Sequence, residues 1–210
     1  MDVSIGGPLR AGLVLYATGE YHAAHDPWEE VWLELETGTD DEKLFHGLIQ
    51  LTAAIHHARN RNWSGAVGLA ESGREYLDDL PNRYRGVAVG DAVAFLNALA
   101  RDPERIERGP PDPISYREDV LEVTDLPFEE LVPAVDALAE EYETYEGDIL
   151  AEAIEVAREE QADGRAAITT LLFDFVAGED PSREFVYDQL AARIRRRRRK
   201  RDDVSGLFET

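Results

Sequence analysis

The sequence predicts an all-α protein, a multihelical bundle of antiparallel helix hairpins followed by a second small helical bundle. Apolar residues recur at three- and four-residue spacing almost throughout. Strand-like alternation is missing, and Gly, Pro, Asn or Asp separates the periodic runs. Residues 9–17 give a first helix, closed by Thr18-Gly19. A second leads out of YHAAHDPWEEVW, residues 21–32, and runs to about residue 36, where Thr37-Gly38-Thr39 ends it. A third covers 41–57, and after the turn 59–62 a fourth runs over 63–80 until Pro81 stops it. Residues 91–101 are a fifth.

Pro103, Gly109, Pro110, Pro111 and Pro113 mark 102–127 as the expected linker between a domain at 1–101 and a helical subdomain at 128–210. Helices are expected there at 128–145, 148–163, 165–177 and 182–201. Ile149, Leu150, Ala153, Ile154 and Ala157 share one side of the second of these. On the last, Phe185, Val186, Gln189, Leu190 and Ile194 do.

Forty-four acids face twenty-two bases, a formal net charge of −22, and the only lysines are Lys43 and Lys200. Such a surface repels itself at low salt and is screened in molar salt, so the composition predicts a salt-adapted cytoplasmic protein. The absence of cysteine excludes disulfides, thiol nucleophiles and iron–sulfur clusters, and leaves metal chemistry to His, Asp and Glu. No apolar run approaches the ~18 residues of a membrane span, and the N-terminal stretch lacks the basic region of a secretory signal.

The stretch at 21–32 holds two of the five histidines and two of the three tryptophans. Read as one continuous helix, it puts His22, His25, Glu29 and Trp32 close to one face, with His25 and Glu29 spaced to share a divalent ion. Read as a helix start, Asp26 is the N-cap, Pro27 the first helical residue and Glu29 the far arm of a capping box. Both readings stay open. In the third helix His46, Gln50, Ala53 and His57 share a face opposite Leu44, Leu48, Leu51 and Ile55. Residues 43–70 contain no acid, although about six would be expected of a solvated stretch in this chain, so that helix should be buried on more than one side. Its polar groups then need buried partners, and packing against the second helix would bring them towards His25 and Glu29.

At these residues the sequence resembles the domain-of-unknown-function family 309. The matching positions are Gly19, Tyr21, His25, Glu29 and Trp32, then Gly47-Leu48-Ile49-Gln50, His57, Asn62 and Gly65-Ala66, over about residues 13–80. Asp26, Pro27 and Trp28 depart from the pattern. The resemblance implies an all-helical fold and a shared constellation of His25, Glu29, Trp32, Gln50 and His57, and carries no activity. The expected function is a small-ligand or divalent-metal binding module, with ligand residues His25, Glu29, Trp32, Gln50 and His57. A metal would sit on His25, Glu29 and His57, and hydrolysis is the chemistry such a site would serve. The alternative is an interaction module whose cluster is structural, suggested by a repeat of aromatic-x-x-Ala at Tyr21 and Trp63. Its partner would be another protein or a second copy of the chain.

Two charge extremes complete the reading. Residues 118–163 hold seventeen acids and one base, Arg158, whereas 193–201 hold eight bases in nine positions. Nucleic acid is disfavoured as the partner of this run, because about five phosphate contacts would lose four to five decades of affinity over a tenfold rise in salt. A cationic helix end lying beside the acidic helices is the favoured reading. The tail carries Leu207-Phe208, an apolar pair a partner could bury.

Overall fold

A computed structural model describes residues 5–179 and 181–206; Leu207-Phe208 lies outside the described residues. Among these residues the chain forms nine α-helices and two short 3-10 turns. They are α1 (Gly6–Ala17), α2 (His25–Trp32), α3 (Asp40–Arg59), α4 (Trp63–Leu77), α5 (Val89–Arg101), the turns Pro103–Glu107 and Val123–Asp125, α6 (Phe128–Glu141), α7 (Gly147–Ala162), α8 (Ala167–Ala177) and α9 (Ser182–Gly206). The described residues contain no strand beyond isolated bridges around Tyr84, Val87, Tyr116 and Asp119. The multihelical fold is therefore as expected, and no helix among the described residues is long and apolar enough to cross a membrane. The chain divides into two compact units, Met1–Ala134 and Val135–Thr210.

In the first unit sequence neighbours pack together: α1 on α2, α2 on α3, α3 on α4, α4 on α5. Trp28 fixes α2 against α1. Its ring is fully buried, and its Nε1 donates to the Leu9 carbonyl at 3.2 Å. The indole lies where a Cβ on Gly12 would be, so α1 carries glycine at the crossing. The α3–α4 crossing rests on another close approach. A Cβ on Gly47 would meet Leu77 at 2.5 Å, and one on Gly73 would meet the Gln50 Cβ at 3.0 Å.

The buried faces follow the sequence pattern. Leu44, Leu48, Leu51 and Ile55 are fully buried, and so are Phe45, Ala54 and Ala58, which accounts for the lack of acids in α3 after Glu42. Thr39 caps α3, its hydroxyl accepting from the Glu42 amide at 3.2 Å, and Asp40, Asp41 and Glu42 complement the helix dipole. Outside the helix, Arg85 clamps Asp41 through two hydrogen bonds of 2.7 Å, and Tyr84 donates to the same carboxylate at 2.9 Å. The Pro-rich segment packs into this unit: the Asp112 carbonyl accepts from Tyr16 Oη at 3.1 Å, and Ser115 donates to Asp91 at 3.1 Å.

The second helix differs from the expected one at both ends. It starts at His25, two residues before Pro27, stops at Trp32, and has no side-chain cap. The capping box on Asp26 and Glu29 does not form. Carbonyls of the preceding turn already serve the first amides, His22 O accepting from His25 N at 3.0 Å and Ala23 O from Asp26 N at 3.3 Å. Pro27 then falls in the first turn, where its missing N–H costs nothing.

In the second unit Ile149, Leu150, Ala153, Ile154 and Ala157 are all buried, as expected. On α9 the buried stripe is Arg183, Tyr187, Leu190, Ala191 and Ile194, while Phe185 is 67% exposed. The face is turned because Arg183 Nε donates to the Phe175 carbonyl at 3.1 Å and so occupies the C-terminal turn of α8. Tyr187 fixes α7 in turn, its hydroxyl accepting from the Glu146 amide at 2.9 Å.

Candidate functional site

Two clefts open in the first unit, and between them they collect all five histidines. The first, about 270 Å³, lies between α2 and α3 and is lined by His22, His25, Asp26 and Glu29 on one side and Thr52, Ala53, His56 and His57 on the other. His25 Nδ1 stands 3.7 Å from both Asp26 Oδ1 and Glu29 Oε2, with side chains 28%, 32% and 46% exposed. Glu29 thus turns towards His25, one helical turn away. The His22 and His56 rings face each other at 5.1 Å. His57 is held from the far side: its Nδ1 lies 2.7 Å from Asn62 Nδ2, while Asn62 Oδ1 caps α4 by accepting from Gly65 N at 3.2 Å. A side chain at Gly65 would occupy the space of that imidazole.

The second cleft, about 490 Å³, is lined by Trp32, Leu33, Leu35, Thr37, Gly38, Glu42, Lys43, His46 and Tyr76. His46 is sandwiched there, stacked on Tyr76 at 3.9 Å and tilted against Trp32 at 4.7 Å. Glu42 Oε1 accepts from Trp32 Nε1 at 2.9 Å and lies 3.2 Å from His46 Nδ1, and Oε2 accepts from Gly38 N at 3.3 Å. Burial pushes the Glu42 carboxyl up, but the bonds from Trp32, Gly38 and His46 together outweigh it and hold it below the usual glutamate range. His46 Nε2 lies 3.3 Å from Gln50 Nε2. An imidazole protonated on Nδ1 satisfies both contacts, donating to Glu42 and accepting from Gln50. Gln50 Oε1 is buried without a hydrogen-bond partner.

Residues 9–69 match the family model described as Domain of unknown function (DUF309). That stretch is therefore similar to this family. An uncharacterized protein of Aquifex aeolicus (strain VF5) is 25% identical over 91 residues, 43% of this chain and 27% of that protein. The chain thus spans about a quarter of that relative's length. The DUF309 match runs from α1 into α4 and takes in both clefts except Tyr76.

Within the matched stretch the five expected residues separate. His25, Glu29 and His57 meet at the first cleft; Trp32 lines the second, and Gln50 hydrogen-bonds with its His46. They do not make the single constellation the sequence suggested, because Trp32, the last residue of α2, turns to Glu42 while His25 and Glu29 line the other cleft. The metal trio does not assemble either: among the described residues no group of three or more His, Asp or Glu side chains is placed to hold a metal ion. His57 is turned towards the Asn62 cap instead. Glu42, Tyr76 and His56 stand outside the residues expected from sequence, and His22 and His46 outside the expected ligand set. Glu42 did leave a signal, as the last acid before the acid-free run and the start of the i, i+4, i+8 ladder Glu42–His46–Gln50.

Proposed function

We propose that the DUF309-like stretch is a small-ligand binding module whose ligand sits in the histidine cleft between α2 and α3. The observation that carries this reading is the placement of four of the chain's five histidines around one opening of about 270 Å³. A helix contact needs no such concentration, since apolar residues would serve it better. Imidazole near neutral pH both donates and accepts hydrogen bonds, and Asp26 and Glu29 add acceptors, so the cleft suits a small polar molecule. Its volume falls just below the range of ordinary ligand pockets, about 300–1,000 Å³. A divalent ion has less support, because Asp26 and Glu29 both lie 3.7 Å from His25 but no group of three such side chains among the described residues is placed to hold a metal ion. Hydrolysis would need the same pair as base and orienting carboxylate. The acid excess is consistent with a salt-rich cytoplasm as the working environment.

Crystals of the full chain soaked with mixed polar fragments, and separately with Zn²⁺ or Mn²⁺, test the proposal. Fragments bonded to His25 and Glu29 are expected. Fragments bound elsewhere with this cleft empty would overturn it, and metal alone on His25 and Glu29 would transfer the site to a divalent ion. A second reading, contact with another protein, draws on Leu33, which is 71% exposed beside the second cleft. A strictly monomeric species at molar salt that recovers no partner would count against it.

A further inference from the structure

The basic run of α9 mixes paired and unpaired cations among the described residues. Arg195 pairs with Glu146, Arg197 with Glu159, Arg198 with Asp148 at 3.0 Å and Glu152 at 2.5 Å, and Arg201 with Glu152 at 3.8 Å. Arg193, Arg196 and Lys200 make no such pair among the described residues, in a chain that has two acids for every base. Together with Arg197 they occupy i, i+3, i+4 and i+7, one face of the helix, and line a cleft of about 290 Å³ with Val156, Ile168 and Ile194. The acid lining this cleft, Glu160, is committed inward. Its Oε2 accepts from the Ile168 amide at 2.9 Å, and Arg165 lies 3.9 Å from its other oxygen.

We propose that this cleft of the second unit binds a compact, multiply charged phosphate group through Arg193, Arg196, Arg197 and Lys200. Guanidinium forks match phosphate oxygens in bidentate geometry, and four cations lining one small space suit one or two adjoining phosphates. An extended polyanion fits less well. Nucleic acid needs contacts spread along its axis, and the flank of α9 beyond the cleft faces Glu146, at the cap of α7, and Asp148 and Glu152 within it. The apolar floor leaves room for a small organic portion attached to the phosphate.

Calorimetric titration of the full chain with inorganic pyrophosphate tests this, beside Arg196→Gln, Arg193→Gln and a control, Arg199→Gln, which removes the same charge from the same run outside the cleft. One-to-one binding is expected, weakened at least tenfold by Arg193→Gln and by Arg196→Gln and less than twofold by Arg199→Gln, with helical content unchanged by circular dichroism. No binding, or equal weakening by all three variants, overturns the proposal. So does a single-stranded oligonucleotide that binds more tightly than pyrophosphate and depends equally on Arg199.

Discussion

His46 Nδ1 lies 3.2 Å from Glu42 Oε1, one helical turn away on α3, and that carboxylate also receives Trp32 Nε1 and the Gly38 amide. One acid therefore ties the end of α2, the turn before α3 and the stacked imidazole together. Glu42→Gln keeps the shape but offers an amide N–H where one of the three donors must be accepted, so a loss of about 1–3 kcal/mol is expected in urea denaturation. The pH dependence has a definite sign. The folded-state carboxyl titrates below its ordinary value of 4.5, so its contribution is complete above that value and disappears as pH falls through the lower folded value. Between pH 6 and pH 3 the wild type should lose stability more steeply than Glu42→Gln; parallel curves would refute this.

Helix positions were legible because they rest on local features: period, and breakers such as Gly19, Pro81 and the Thr37-Gly38-Thr39 turn. The site was legible in its residue types but not in its grouping. His46 meets Tyr76 only because α3 and α4 approach closely at Gly47 and Gly73, and no spacing in the chain encodes a contact thirty residues apart. Glu42 was overlooked because an acid in a first turn also serves the helix dipole. The cap assigned to Asp26 failed because turn carbonyls at His22 and Ala23 had already satisfied the amides it would have bonded.

The α3–α4 crossing can be tested at its glycines. Replacing glycine by alanine within a helix normally stabilises by about 0.5–1 kcal/mol, and Gly68→Ala on α4 should do so, since nothing lies within 4 Å of the place its methyl would take. Gly47→Ala should do the reverse, costing about 1–3 kcal/mol, because the new methyl meets the Leu77 side chain and the Gly73 carbonyl. Thermal midpoints at fixed salt decide it, and a stabilised Gly47→Ala would contradict the packing.

In the second unit Arg183 rather than Phe185 faces inward. Arg183→Ala should cost about 1.5–3 kcal/mol, since it removes a charged donor from the Phe175 carbonyl at the end of α8. Phe185→Ser should change stability by no more than about 0.5 kcal/mol, its ring being 67% exposed. Chemical denaturation that ranks the two variants the other way would restore the periodicity expected from sequence.

His25 and Glu29 separate binding from folding. Their contact is 3.7 Å long and partly exposed, so His25→Ala or Glu29→Gln should change stability by less than about 1 kcal/mol. If the histidine cleft holds a ligand, the same substitutions should abolish the density of any fragment bound there. A folding loss as large as that of Glu42→Gln would make the pair structural and remove the main support for the binding proposal.

The charge balance predicts the response to salt. At about 0.1 M ionic strength the Debye length is ~10 Å and repulsion among the surface carboxylates acts over several neighbours; at about 1 M it is ~3 Å and only direct pairs are felt. With a net charge of −22 over 210 residues, screening should remove more repulsion than attraction, because exposed pairs such as Arg61–Glu107 are individually weak and twenty-two bases cannot pair with forty-four acids. The thermal midpoint should therefore rise from 0.1 M to 1 M potassium chloride. Potassium chloride is the useful salt, since sulfate would also strengthen apolar burial and confuse the two effects. A midpoint that falls over this range would mean that the ion pairs outweigh the repulsion, and would remove the basis for reading the composition as salt adaptation.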